Sequence, residues 1–237
     1  MNPVTATRKD RRANGSGRGP APAIVFAALL DRWGPQGWWP GRTRAEIVIG
    51  AILTQNTAWA NVERALARLS AAGAMDFERI RRAPRAALED WIRPAGCFRV
   101  KAGRLRAFAD VLHRDHGGRL ARLFRLPTAA LRRTLLDIPG VGPETADAIA
   151  LYAAKRPVFV VDAYGRRILA RHGWRGARSS YDDLARWFTR RLPRDTALYN
   201  EYHALVVRAG KEHCRPRPRC DGCPLQRWLP AAGPRRP

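Results

Sequence analysis

Leu136-Asp137-Ile138-Pro139-Gly140-Val141-Gly142-Pro143-Glu144-Thr145-Ala146 is the stretch that decides the fold of this chain. An amphipathic segment ends near Leu136, a tight turn is built on Gly140 and Gly142, and a second helical pattern follows. Glycines at those two points let the backbone bend sharply and lie close to another surface. The start of the second helix presents free N–H groups and a positive dipole end, an arrangement suited to one phosphate. A bare Gly-x-Gly between helices is common, whereas the whole string reads as a specific turn between two helices, over 136–149, rather than a chance one.

Outward from the hairpin, nearly every segment after residue 20 has helical period. Apolar spacing predicts helices over 22–33, 43–54, 58–71, 76–82, 84–92, 99–116, 128–136, 163–172, 180–192 and 196–210. The 43–54 segment, TRAEIVIGAILT, is apolar almost all round and is expected to be central and buried. The run Val158-Phe159-Val160-Val161 has the length of a strand, but nothing alternates with it to build a sheet. The expected fold is all-α.

Composition narrows the partner. Lys and Arg number 44 against 20 Asp and Glu, a net charge of +24, and only four of the bases are lysine. Such an excess opposes compaction unless a polyanion or dispersed arginine pairing offsets it. Nucleic acid is the natural partner, since phosphate contacts supply sequence-independent affinity; a solvated arginine-rich surface is the alternative. No apolar stretch reaches the roughly 18 residues of a membrane span. Residues 1–20 lack the apolar core of a secretory signal and read as a disordered basic arm. A cytoplasmic, nucleoid-associated location is expected. Cys214, Cys220 and Cys223 form a C-x5-C-x2-C group, which without a secretion signal suggests metal or cluster ligation rather than disulfides.

The hairpin string, together with AEIVIGAILTQNT, PAGCFRVKAGRL, VVDAYGRRIL and the cysteine loop, resembles the helix-hairpin-helix DNA glycosylase superfamily of endonuclease III-like enzymes. The resemblance runs from about residue 22 to residue 225 and is nearest in pattern to the 3-methyladenine glycosylase branch. It implies two helical lobes: a six-helix barrel over 43–155, and a second lobe from 21–42 and 156–225 with the cysteine loop at 214–223. Residues 226–237 are left as a Pro/Arg tail.

The resemblance also assigns roles. The catalytic carboxylate is Asp162, in VFVVDAYGRR after the hairpin. Breaking an N-glycosidic bond builds positive charge on the deoxyribose, and a fixed carboxylate stabilises it and orients water. By local sequence alone, Asp162 reads first as a helix N-cap. Bifunctional members of the superfamily carry a lysine after the hairpin that forms an imine with the sugar. Glu144 stands at that position and cannot do so, which predicts a monofunctional enzyme.

A flipped base needs flat walls, and Trp38, Trp39 and Trp59 are the candidates. Indoles attract the positive charge of an alkylated purine; core packing is the alternative role for all three. Gln55 stands where superfamily members insert a side chain into the gap left by the base, or else it caps a helix. Gly140, Val141, Gly142 and Thr145 of the hairpin, and Arg215, Arg217 and Arg219 of the loop, are expected at DNA.

For the cysteines the resemblance implies a [4Fe–4S] cluster held by four thiolates. The fourth cysteine should fall near Leu229 and is missing. That leaves a cluster with another ligand, a three-thiolate cluster, zinc, or no metal at Cys214, Cys220 and Cys223. The expected partner is double-stranded DNA with a damaged base, bound by a monomer. An oxidised-pyrimidine glycosylase with lyase activity and a non-catalytic DNA-binding protein are the competing readings.

Overall fold

A computed structural model describes residues 19–38, 41–175 and 178–236. The expected basic arm, apart from Gly19 and Pro20, lies outside the described residues, as does Trp39. Twelve α-helices run along the described residues and no strand is formed among them, so the chain is all-α as its periodicity predicts. The chain folds as two units, one of residues 39–158 and the other of residues 1–38 with 159–237.

The first unit is built around α2 (Arg44–Leu53). Thr43 caps its start by accepting from Glu46 N–H at 3.1 Å, while Glu46 reaches back to Arg42 N–H at 2.9 Å. The first bond satisfies a donor that an uncapped helix leaves open, and the second ties the preceding loop to the helix. Ile47, Val48, Ile49, Ile52 and Leu53 are all buried, so this helix is central, as its uninterrupted apolar composition predicts. Against it pack α3 (Trp59–Ala71), α6 (Phe98–His116) and α9 (Pro143–Ala148), while α4 (Phe77–Arg82), α5 (Arg85–Trp91) and α7 (Leu120–Leu123) pack on α6 and α8 (Thr128–Leu136) packs on α9. The short α7 was not expected, because four residues are too few to show a period.

Two features of this unit were invisible in the pattern. After α9 the chain widens into a fully buried π-helical turn, Ile149–Ala153, that packs against α2. Lys101 on α6 is 2% exposed, and its ammonium donates to Leu53 O at 2.8 Å and Ala95 O at 2.7 Å. It thereby ties off the C-terminal end of α2, and burial lowers its pKa from the ordinary lysine value.

In the other unit, α1 (Pro22–Trp33) and α10 (Ala163–Arg171) pack on α12 (Thr196–Glu212), with α11 (Tyr181–Thr189) between α10 and α12 in sequence. The apolar run that resembled a strand is an extended connection that supplies core side chains. Phe159 stacks on Phe188 at 4.0 Å and meets the edges of Tyr199 and Tyr202 at 5.4 Å. The tail beyond residue 225 is partly ordered by the fold. Gln226–Trp228 forms a 3₁₀ turn, Trp228 meets Trp174 edge-on at 6.2 Å, and Arg235 N–H donates to Arg171 O at 2.9 Å.

The hairpin itself needs glycine at one point. Gly140 has φ of +85°, and a Cβ there would stand 2.4 Å from Cγ of Arg104. Gly140→Ala is therefore expected to cost about 1–3 kcal/mol, read as a lower urea midpoint at unchanged slope. An unchanged midpoint would show that the turn relaxes around the methyl group.

Candidate active site

Asp162 is the N-cap of α10. Its Oδ1 accepts from Gly165 N–H at 2.7 Å, and the residue is 8% exposed. The alternative that the sequence left open is thus realised in geometry, and it does not compete with a chemical role. One carboxylate oxygen serves the cap, which holds Oδ1 in place, while Oδ2 lies 3.6 Å from Nε2 of His203. That separation is within ion-pair range and longer than a hydrogen bond.

The position of Asp162 follows from how α10 meets α12. A Cβ on Gly210 would collide with the ring of Tyr164 at 2.2 Å, and one on Gly165 would touch Val206 at 3.6 Å. Both helices lack a side chain where they cross, so their backbones approach closely. His203, Val206 and Gly210 recur at the i, i+3 and i+7 spacing of one helix face, and all three are turned to α10 or its cap. Trp38 lies in the same unit, its indole tilted 39° against the His203 ring at 5.4 Å.

The hairpin belongs to the other unit, and there Gln55 is its main partner. Its Nε2 donates to Gly140 O and to Thr145 Oγ1, both at 2.9 Å, and its Oε1 accepts from the Arg104 guanidinium. Gln55 caps no helix; it bridges the break between α2 and α3 to the hairpin. Thr145 is buried under this contact, and Val141 is buried too, with its N–H donating to Ile138 O at 3.0 Å in the turn. Gly140, Gly142 and Glu144 are exposed.

Trp59 opens α3. Its ring would meet a Cβ on Gly50 at 3.5 Å, so the indole lies against α2, and its Nε1 donates to Glu63 at 2.9 Å. Neither Arg104 nor His203 was singled out from the sequence. An arginine in an arginine-rich helix carries no local signal. His203, flanked by Tyr202 and Ala204, differs from its neighbours only by being an imidazole on an otherwise apolar face.

The cysteine loop follows α12. Arg171 is buried and donates to Arg215 O and to Pro216 O, the latter at 2.7 Å, and its Nη1 lies 3.4 Å from Cys214 Sγ. Burial is the chief cause that raises the Cys220 and Cys223 thiols above the ordinary value, and the neighbouring cysteines add to it. His213 directs Nδ1 to Arg219 O at 3.0 Å and stacks on Trp33. Arg215, Arg217 and Arg219 are exposed. Among the described residues, no group of three or more His, Cys, Asp or Glu side chains is arranged to hold a metal ion. Three thiols, an imidazole turned to a backbone carbonyl, and Leu229 at the fourth position do not fit a four-thiolate cage.

Known proteins share this architecture. Residues 49–194 match the model of the HhH-GPD superfamily of base excision DNA repair proteins. A Methanocaldococcus jannaschii protein with the provisional name of DNA repair glycosylase is 42% identical over 86% of this chain and 93% of its own length. A 3-methyladenine DNA glycosylase of H. pylori, solved with 1,N6-ethenoadenine, superposes with a TM-score of 0.72. It is 28% identical, and the match covers 81% of this chain and 98% of that one. An endonuclease III–DNA complex has a TM-score of 0.75 at 22% identity, over 87% of this chain and 92% of that one, and so shares the fold. The chain belongs to the HhH-GPD superfamily of base excision DNA repair proteins.

Proposed function

We propose that this protein is a monofunctional DNA glycosylase that hydrolyses the N-glycosidic bond of an alkylated purine such as 3-methyladenine. The observation that carries the reading is the carboxylate of Asp162, held by the Gly165 N–H through one oxygen and with the other not used by the cap. As the glycosidic bond lengthens, positive charge builds on the sugar. A nearby carboxylate of fixed orientation stabilises that charge without reorganising, and it accepts a proton from the attacking water.

Hydrolysis rather than imine chemistry is supported by Glu144 at the hairpin position where a lysine would be needed. Lys101, the most buried lysine among the described residues, is committed to two backbone carbonyls. The alkylated-purine substrate is supported by Trp38 beside the residues around Asp162 and by the similarity to the 3-methyladenine glycosylase. Trp39 and Trp59 remain candidate walls, although Trp59 already packs on α2. In this reading the damaged duplex is gripped at a phosphate by the hairpin at Gly140, Gly142 and Thr145, with Arg215, Arg217 and Arg219 on the backbone; Val141, buried and with its N–H held in the turn, supports the hairpin from beneath instead of touching DNA. Gln55 must exchange its hydrogen bonds to Gly140, Thr145 and Arg104 for contacts in the duplex when the base leaves the stack. The protein works as a monomer in the cytoplasm, on the nucleoid.

Duplexes carrying 3-methyladenine, thymine glycol or uracil separate this reading from its rivals. Base release is expected from the first, with strand breaks only after hot alkali, and Asp162→Asn should slow release at least about 100-fold. Strand breaks without alkali would support a lyase, and binding without release on any lesion would leave a DNA-binding protein.

For the cysteine loop, three thiolates leave one iron of a [4Fe–4S] cluster without a cysteine ligand. Protein purified anaerobically is expected to carry well under one [4Fe–4S] equivalent of iron and sulfide per chain. A full complement would show that a ligand other than cysteine completes the site.

A further inference from the structure

We infer that His203 is a positioning residue for Asp162, donating from Nε2 to the carboxylate oxygen that the helix cap leaves over. The inference rests on the glycosylase reading for its consequence in catalysis, while the contact itself is a property of the fold.

Three observations converge on the pair. His203 is buried, and its Nε2 lies 3.6 Å from Asp162 Oδ2. Its ring cannot swing freely, because the Trp38 indole lies against it at 5.4 Å. The backbone that carries it is pinned as well, since Gly210 receives Tyr164 and Val206 meets Gly165 on the same face of α12. A shortening of about 0.6 Å brings Nε2 into hydrogen-bond range, and catalytic contacts commonly tighten in this way when substrate binds.

Other charged side chains on the elements packed against α12 turn elsewhere. On α10, Arg166 donates to Ser179 O, Arg167 to Cys214 O, and Arg171 to the cysteine loop. On α1, Asp31 and Arg32 lie on the face shared with Cys223 and Arg227. Glu201, on α12 itself, accepts from Gln36 N–H. Asp162 is thus the acid toward which the imidazole is directed.

With Oδ1 held by Gly165 and Oδ2 by His203, both oxygens of the carboxylate have a defined direction. A carboxylate tied at one oxygen only can rotate about its Cβ–Cγ bond within the limits of the cap. A second bond to Oδ2 removes that freedom, so the charge stands in one place when the sugar becomes cationic. His203 touches neither base nor sugar in this role. It acts through Asp162.

Two variants and one spectroscopic readout test the assignment. Leucine fills the imidazole volume without a donor, whereas glutamine places an amide N–H near the Nε2 position. In single-turnover assays on duplex containing 3-methyladenine, His203→Leu is expected to release base about 10–100-fold more slowly, with affinity for an abasic-analogue duplex within about threefold of wild type. His203→Gln should recover the rate to within about fivefold of wild type. Equal slowness of both variants, or a wild-type rate in His203→Leu, would overturn the positioning role; thermal melts of both variants separate either result from loss of fold.

Independently of activity, long-range ¹H–¹⁵N spectra of histidine-labelled protein should show the Nε2 signal of His203 move in Asp162→Asn. An unmoved signal would overturn the contact. Wild-type protein that releases no base, but in which that signal moves, would instead overturn the substrate reading and leave the pair standing.

Discussion

The hydrogen bond from Gly165 N–H to Oδ1 of Asp162, 2.7 Å long, joins the folding of the chain to the chemistry we propose for it. It ends the extended run 158–162 and starts α10, so the same bond that begins a helix also orients a carboxylate. A side chain held by its own backbone beside a helix crossing has little room to move. The crossing is equally restricted, because Gly210 admits Tyr164 only as a glycine. Preorganisation of this kind lets a charge stabilise a developing cation without first rearranging its surroundings.

The net charge of +24 is a second constraint, and it is partly satisfied inside the protein. With 20 acidic residues for 44 basic ones, many arginines find backbone carbonyls instead of carboxylates. Arg156 donates to Phe124 O and Leu126 O, Arg79 to Gly73 O, and Arg171 to the cysteine loop. Such bonds satisfy the open ends of helices and loops, where carbonyls lack intrahelical donors. Arginine suits this work because its planar fork serves two acceptors while keeping its charge. Arg215 also donates to a carbonyl, that of Lys211, at 2.7 Å, while Arg217 and Arg219 are exposed on the same loop.

Much of this was legible in the sequence, for reasons that differ by element. Periodicity locates α2, α3, α6 and α12 because each must bury one face or more, and burial writes itself as spacing. The hairpin is legible because Gly140 occupies a backbone conformation that side chains disfavour. At Asp162 local sequence reads a helix cap, and that cap forms through one oxygen while the other is left over for the proposed chemistry. What stayed hidden was long-range. Arg104 and Gln55 stand 49 residues apart, and Lys101 reaches a carbonyl 48 residues away. Pairings of that kind depend on how helices cross, which no local pattern encodes. The π-helical turn at Ile149–Ala153 was hidden for a different reason, because its residues are as apolar as those of an α-helix in the same place.

Hydrolysis driven by Asp162, with no amine attacking the sugar, is tested most directly by borohydride trapping. Wild-type protein, incubated with a 3-methyladenine duplex and sodium borohydride, should release the base and leave an intact abasic strand with no covalent protein–DNA adduct. A reduced adduct formed in step with base release would contradict this mechanism, because it would place a lysine or terminal amine at the sugar carbon where hydrolysis requires water.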